Sequence, residues 1–356
     1  MDDRLKRFTE RVDKGAGEGL IWTPDQLAER GTPRLRSDIL SLDIATGGGY
    51  PFGAFTLLLA GTSNGKTTLC MHAMAQVPNF DHITKKHKDF VNPEDFVPGA
   101  SLVVDFEGTF DEKWAATNGV QPDSYLVAKP TNAENGCDIV ADALNGNEFD
   151  LIVIDSIEAM IPEKFMADSA ETHQMGKKAI MTNTQLGRFE RFIGGKWKKK
   201  EIGPAIIMIN QWREKIGILM GDNRVVPGGK KQEFLPSLRV ELMKIRREDL
   251  ADTPLGQLGI KGKIAKNKTY RPYQEFECKV GQMDSSKLKA GQVNNIDMLV
   301  KFGLQHDLIL RGGGKVEFNG VVYPTQKALK EELDTCPEVC SALWREIVRT
   351  TTGNVV

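Results

Sequence analysis

Four short apolar runs punctuate the first 210 residues: "FTLLLA" (55–60), "SLVVDF" (101–106), "DLIVIDS" (150–156) and "PAIIMIN" (204–210). Each is continuous rather than alternating, which is how strands buried on both faces of a parallel sheet read. The segments between them, "KTTLCMHAMAQV", "NGCDIVADALNG" and "AIMTNTQLGRFERFI", space their apolar residues as helices do. Strand–helix alternation predicts a doubly wound α/β core, a mainly parallel twisted sheet with helices on both faces. Ahead of it, residues 1 to 30 read as an amphipathic helix and a polar connector. In "SDILSLDIATGGGYPFG" (37–53) a helical pattern is stopped by three glycines and a proline. Residues 77–100 are polar and broken by proline, and read as an inserted surface loop. Three later runs, "SLRVELMKI" (237–245), "IKGKIAKN" (260–267) and "YQEFECKV" (273–280), are expected to be antiparallel strands. From residue 287 the pattern becomes helix, small hairpin, helix, helix. The predicted division is an N-terminal oligomerisation helix and linker (1–32), a core (33–285) and a small C-terminal α/β domain (286–356).

Composition narrows the class. The chain has 356 residues, 40% hydrophobic and 27% charged, enough for one large core and a smaller appended unit. No apolar stretch reaches the roughly 18 residues a membrane span needs, and "MDDRLKRFTERVDKG" lacks the apolar centre of a secretory signal. The five cysteines are scattered; the pair Cys336 and Cys340 has no histidine beside it and reads as two buried small residues. A reduced, cytoplasmic setting is expected. With a formal net charge of −1, nucleic-acid binding must come from local basic runs. Two exist, "KWKKK" (196–200) and the stretch from Arg239 to Arg247, and each alone reads as solvated surface.

The strongest chemistry lies in "AGTSNGKTT". Ala60, Gly65, Lys66 and Thr67 meet the pattern of a small residue, four others, then Gly-Lys-Thr, between a predicted strand and a predicted helix. Backbone N–H groups of Gly61, Thr62, Ser63, Asn64 and Gly65 would wrap an anion at the helix start, where Thr68 also sits. Lys66 would reach the β- and γ-phosphates of ATP, and the Thr67 hydroxyl would ligate Mg²⁺. Asp155 ends the run "LIVID" and would join the Mg²⁺ shell. Glu107, after "VVDF", is placed to polarise an attacking water. Asp105 competes for that role, but alternation turns it to the other face.

These residues carry a resemblance. From "SLDIATGGG" to the C-terminal helices the chain resembles the RecA family of homologous-recombination ATPases. "DFEGTFDEKWAATNGV" looks like the family's glutamate-containing segment. The resemblance makes Glu107 the catalytic glutamate, Asp111 the adenine contact and Trp114 the aromatic that stacks on the base, where tyrosine is commoner. "IMINQWREKIGILMG" resembles the opening of the second DNA-binding loop, with Gln211 as the γ-phosphate sensor. "VPGGKKQEF" is similar to the end of that loop. "IAKNK" looks like the family's Lys-Asn-Lys signature, which implies that Lys266 and Lys268 reach the ATP of a neighbouring subunit. "IPEKFMADSAETHQMG" (161–176) falls at the first DNA-binding loop.

The resemblance implies a RecA-type core, ATP and Mg²⁺ as cofactors, a helical filament of like subunits, and single-stranded and homologous duplex DNA as partners. Mediators or single-strand-binding proteins are further implied partners. DNA contacts would come from Lys164, His173, Met175 and Gly176 in the first loop. The second would supply Trp212, Arg213, Lys215, Arg224, Gly228, Gly229, Lys230 and Lys231, with Trp212 expected as a packing anchor. Without the family, Lys266 and Lys268 read as plain strand-end lysines. Glu233 stands where many members carry an interface lysine, the 77–100 segment is longer than usual, and the acidic tail of many members is missing from "TTTGNVV". These departures point to a divergent, viral member. Competing readings are a ring-forming motor or helicase on the same core, and a nucleotide-binding mediator without turnover.

Overall fold

A computed structural model of the protein describes residues 2–17, 19–165, 175–199, 201–214, 224–227, 229–243, 256–285 and 288–353. Two helices open the chain, α1 (Asp3–Ala16) and α2 (Pro24–Arg30), so the expected connector contains a second helix, capped by Thr23 and Gln26. A two-stranded ribbon, β1 (Arg34–Leu35) with β2 (Tyr50–Pro51), flanks α3 (Leu40–Thr46). The four continuous apolar runs become β3 (Phe55–Ala60), β4 (Ser101–Asp105), β6 (Leu151–Asp155) and β7 (Ala205–Gln211), joined by β5 (Tyr125–Ala128). With β10 (Leu238–Leu242), β11 (Gln257–Asn267) and β12 (Glu275–Gly281) they form one eight-stranded sheet, ordered β12-β11-β10-β3-β7-β6-β4-β5.

Six neighbours, from β10 to β5, are parallel; β11 runs against β10, and β12 in turn runs against β11. The three later strands pair antiparallel with one another, as expected, but the first of them also joins the parallel sheet. β10 has the alternating burial of a half-covered strand, yet it pairs parallel with β3. Alternation reports which faces are covered, not the direction of the neighbour.

Consecutive residues of β3, β4, β6 and β7 enter different cores. Leu58 and Ala60 of β3 join α3 and α4 (Lys66–Gln76), while Leu57 and Leu59 join α6 (Ala133–Asn145) and α7 (Met175–Lys198). The short helix α5 (Glu112–Thr117) follows β4, and α8 (Lys231–Phe234) precedes β10. The 77–100 segment is not a bare surface loop. Phe80 is buried, bridges join Phe80 to His87 and Asp81 to Pro98, and the buried Lys85 pairs with the buried Asp150 just before β6. Removing one member of such a pair leaves a lone buried charge, so the pair fixes the segment to the sheet.

The C-terminal part comprises α9 (Asn295–Gln305), a three-stranded sheet β13 (Ile309–Gly312), β14 (Lys315–Phe318) and β15 (Val321–Tyr323), then α10 (Gln326–Thr335) and α11 (Pro337–Thr352). A third strand therefore extends the expected hairpin. Leu299, Leu343 and Ile347 share one hydrophobic cluster with Leu40 and Leu42 of α3. Among the described residues no helix is long and apolar enough to cross a membrane.

Candidate functional site

Parallel strands deliver their carboxyl ends to one edge, where loops and ligand sites of such sheets lie. Here β3, β4, β6 and β7 end at Ala60, Asp105, Asp155 and Gln211. Ala60 is fully buried, pairs in register with Gln211, and its carbonyl accepts the Trp212 N–H at 3.3 Å. The loop that follows contains Thr62 and Ser63, both exposed, and half-buried Gly61 and Asn64. Gly65 caps α4 with φ +83°, and a Cβ there would come 2.7 Å from Ile260 Cδ1. Glycine is needed for its backbone angle and because β11 packs against the turn.

Lys66 is 8% exposed, and its Nζ donates to Gly61 O at 2.7 Å, so the ammonium stays inside the loop. Burial draws its pKa below the ordinary lysine value, against the pull of Asp155 and Glu107. Thr67 Oγ1 donates to Asp155 Oδ2 at 3.1 Å. Burial first, then the Glu107 carboxylate, push Asp155 up to about 6, while the Thr67 bond pulls the other way. Thr68 is buried in the first turn of α4. Glu107 is exposed at the same edge, and its Oε1 accepts from the Ser156 hydroxyl.

Asp105 turns away, as alternation requires. Its carboxylate accepts N–H bonds from Gly108 (2.8 Å), Thr109 (3.3 Å) and Phe110 (2.9 Å). It builds the turn after Glu107, and of the two carboxylates only Glu107 is exposed at the sheet edge. Asp111 caps α5, accepting from the N–H groups of Lys113 (2.8 Å) and Trp114 (3.0 Å). Trp114 is half-buried against the core.

Gln211 stands beside the phosphate loop, with its Oε1 3.5 Å from Thr62 Oγ1. The next residues enter the segment expected to contact DNA. Trp212 is half-buried against the α6–α7 core, as a packing anchor would be. Arg213 ion-pairs with Glu158 and starts β8 (Arg213–Glu214), which pairs with β9 (Arg224–Val225). Gly229 has φ +97°, and a Cβ there would meet Asn183 Oδ1 at 2.7 Å. Lys230 is exposed, and Lys231 pairs with Glu190 of α7 at 2.9 Å. In the first loop segment Lys164 is exposed, and Met175 and Gly176 form the start of α7 rather than loop. His173, Lys215 and Gly228, together with the side chains of Met175 and Arg224, lie outside the described residues. In the basic run "KWKKK", Lys196 is buried and pairs with Glu201 at 3.2 Å, which makes it a structural lysine.

Lys266 and Lys268 are not brought to the phosphate loop of their own chain. Lys266 pairs in register with Arg239, which pairs with Leu57, three residues short of Ala60. Its Nζ donates to Glu233 O (2.9 Å) and Phe234 O (2.8 Å), and Lys268 Nζ lies 3.4 Å from Phe234 O. Burial, then Lys268 and Arg239, lower the Lys266 pKa. Asn267, between them, donates from Nδ2 to Thr46 O (2.9 Å) and accepts from the Thr269 N–H (3.1 Å). Sequence reasoning passed over Asn267 as a structural anchor, over Ser156, and over Asn210 and Gln232, both fully buried. A polar residue closing the apolar run "AIIMIN" marks Asn210; nothing in "GGKKQEF" marks Gln232.

The RecA N-terminal domain family model matches residues 3–284. "Protein RecA" of Streptococcus pyogenes serotype M49 (strain NZ131) is 29% identical over 326 residues, covering 90% of this chain and 77% of the relative. "Protein RecA" of Crocosphaera subtropica (strain ATCC 51142 / BH68) is 28% identical over 314 residues, 87% of this chain and 80% of the relative. "Protein RecA" of Rippkaea orientalis (strain PCC 8801 / RF-1) is 27% identical over 343 residues, 95% and 88% respectively. The match spans the loop at 60–68, the turn after β4, the strand β7 and the pair Lys266 and Lys268 together, and the chain belongs to the RecA family.

Proposed function

We propose that this protein is a DNA-dependent ATPase that forms a helical filament on single-stranded DNA and carries out homologous pairing and strand exchange in recombination and repair. The observation that carries the reading is the shared sheet edge: Lys66, Thr67, Asp155 and Glu107 converge there, and Gln211 leads from the same edge into the segment that begins at Trp212.

Lys66 and the N–H groups at the start of α4 hold the phosphates of ATP and oppose their charge. The Thr67 hydroxyl and the Asp155 carboxylate are hard oxygen donors within hydrogen-bonding distance of each other, and Asp155 is a buried carboxylate crowded by Glu107. That donor set fits Mg²⁺. Bound there, the ion supplies positive charge to the phosphate oxygens. Glu107 orients the attacking water and accepts its proton as the bond to the γ-phosphorus forms and the bond from that phosphorus to the β,γ-bridging oxygen breaks, with ADP as the leaving group. Ser156, donating to Glu107, holds that carboxylate in place.

Lys266 and Lys268 complete the site from the adjoining subunit. Support comes from the strand register, which keeps them away from the chain's own loop, and from their ammonium groups lying against the carbonyls of α8, next to the expected end of the second DNA loop. Hydrolysis then depends on assembly. Asp111 and Trp114 receive the adenine. Lys164, Trp212, Arg213, Lys230 and Lys231, together with the loop residues outside the described set, meet the DNA backbone, leaving base pairing to test sequence. Strand exchange replaces one duplex by another, so ATP serves turnover and release of the filament.

The test is direct. Purified protein with ATP, Mg²⁺ and single-stranded DNA is expected to form open helical filaments in electron micrographs and to give joint molecules with homologous duplex. Closed rings that unwind forked duplex would establish the motor reading instead.

A further inference from the structure

Gln211 and the end of the second loop are joined by an arrangement of amides that the family reading does not use. Asn210 and Gln232 are both fully buried. The Gln211 N–H donates to Asn210 Oδ1 at 2.8 Å. That bond fixes the amide's orientation, because only the oxygen can accept it. Asn210 Nδ2 therefore faces the loop, donating to Gln232 Oε1 (2.6 Å) and Pro227 O (3.0 Å). Gln232 Nε2 donates to the same Pro227 carbonyl at 2.7 Å.

Gln232 belongs to α8, a helix of four residues. Its neighbours on that helix hold other parts of the machinery. The Lys231 N–H donates to Asn183 Oδ1 of α7 at 3.1 Å, and Lys231 Nζ pairs with Glu190 at 2.9 Å. The carbonyls of Glu233 and Phe234 take the Lys266 ammonium. One short helix thus touches the sensor strand, the helix that leaves the first loop, the end of the second loop and the interface lysine.

We infer that the Asn210–Gln232 amide pair is the positioning device that couples Gln211 to α8, and through it to the second DNA loop and Lys266. The inference rests on the reading of Gln211 as the residue that faces the γ-phosphate. A movement of the Gln211 backbone carries its N–H bond to Asn210. Asn210 holds Gln232 and Pro227 by bonds buried away from water. Breaking those bonds leaves unpaired buried amides, so the three move together at lower cost than apart. A leucine of similar volume at 232 would pack on the same face and transmit nothing directional.

The experiment compares the full-length wild type with Gln232→Leu, Gln232→Met and Gln211→Ala. Affinity for a labelled oligo-dT is measured with a non-hydrolysable ATP analogue and with ADP, beside the thermal midpoint. Coupling between sites of this kind is expected to separate the two wild-type affinities by about 5- to 150-fold. Gln232→Leu is expected to bring the ratio to within about twofold of unity with the ADP-state affinity near wild type, and to lower the midpoint modestly because Asn210 loses a buried partner. Gln232→Met keeps the side-chain length and carries the same expectation, so poor folding of one variant does not shield the claim. An unchanged ratio in the Gln232 variants, with Gln211→Ala uncoupled, overturns the amide pair and leaves the sensor reading standing. So does a loss of affinity equal in both nucleotide states, which is what a purely structural role gives. An unchanged ratio in Gln211→Ala overturns the sensor reading itself, and the inference with it.

Discussion

The phosphate loop and the Lys-Asn-Lys strand end both carry lysines bonded to backbone carbonyls, but their surroundings differ. Lys66 donates to Gly61 O within its own loop, with Asp155 and Glu107 close by as crowded carboxylates. A small swing of the side chain would turn that ammonium towards phosphates. Lys266 donates to two carbonyls of α8 and lies beside Lys268 and Arg239, which together with burial lower its pKa. The first lysine lies in a site that wants a cation and an anion together. The second is surplus positive charge held by a helix end, where the backbone's partial negative charge favours it. On the proposed reading, this difference is what would leave each chain with two separate halves of a hydrolytic site.

Each half can be broken separately. The largest effect is expected from Lys66→Ala, which should cut DNA-stimulated phosphate release by about 10³-fold; full turnover in that variant would mean the loop does not hold the substrate. Next comes Lys266→Ala, expected to fold normally and lose about 10²-fold. Mixing it with Lys66→Ala subunits sharpens the comparison, since some junctions then combine an intact Lys66 with an intact partner Lys266. Activity of the mixture above the sum of its parts supports completion in trans, and activity no greater than the sum rules it out. A smaller effect is expected from Asn267→Ala, which loses the bonds to Thr46 and Thr269. Chemical denaturation should show a loss of about 1–3 kcal/mol, and a value near zero would mean the strand end is held by other contacts.

The smallest effect concerns pH. Asp155 sits at about 6 in the folded chain, above the unfolded value. Between an ordinary aspartate value of about 4 and that level the native state binds more protons than the unfolded one, so this group's contribution to stability falls as pH rises. Asp155→Asn should flatten that slope in metal-free denaturation curves. Added Mg²⁺ should raise the wild-type midpoint above pH 6 and leave the variant's unchanged. A variant that retains the wild-type slope would place the titration on another group.

Particular elements show what could be read in advance. The four apolar runs became parallel strands because continuous burial on both faces leaves a local trace in sequence. The phosphate loop was legible because its chemistry needs fixed residues at fixed spacing between a strand and a helix. Alternation sorted Glu107 from Asp105, though only the fold revealed that Asp105 builds the turn after Glu107. The parallel pairing of β10 with β3, beside its expected antiparallel partner β11, was not legible because its burial pattern is the same beside either kind of neighbour. The 77–100 segment looked like free surface because its buried lysine finds a partner, Asp150, fifty residues beyond the segment's end.

By itself, then, the sequence determined the strand–helix alternation, the nucleotide loop with Lys66 and Thr67, the carboxylates Glu107 and Asp155, and family membership, all of which depend on short-range pattern. Tertiary structure alone decided where Lys266 and Lys268 rest, how Asn267 ties their strand to α3, and that Asn210 and Gln232 meet across the end of the second loop. Those contacts join residues far apart along the chain or on different elements. Whether a buried amide finds its partner depends on sheet order and helix placement, which no local spacing encodes.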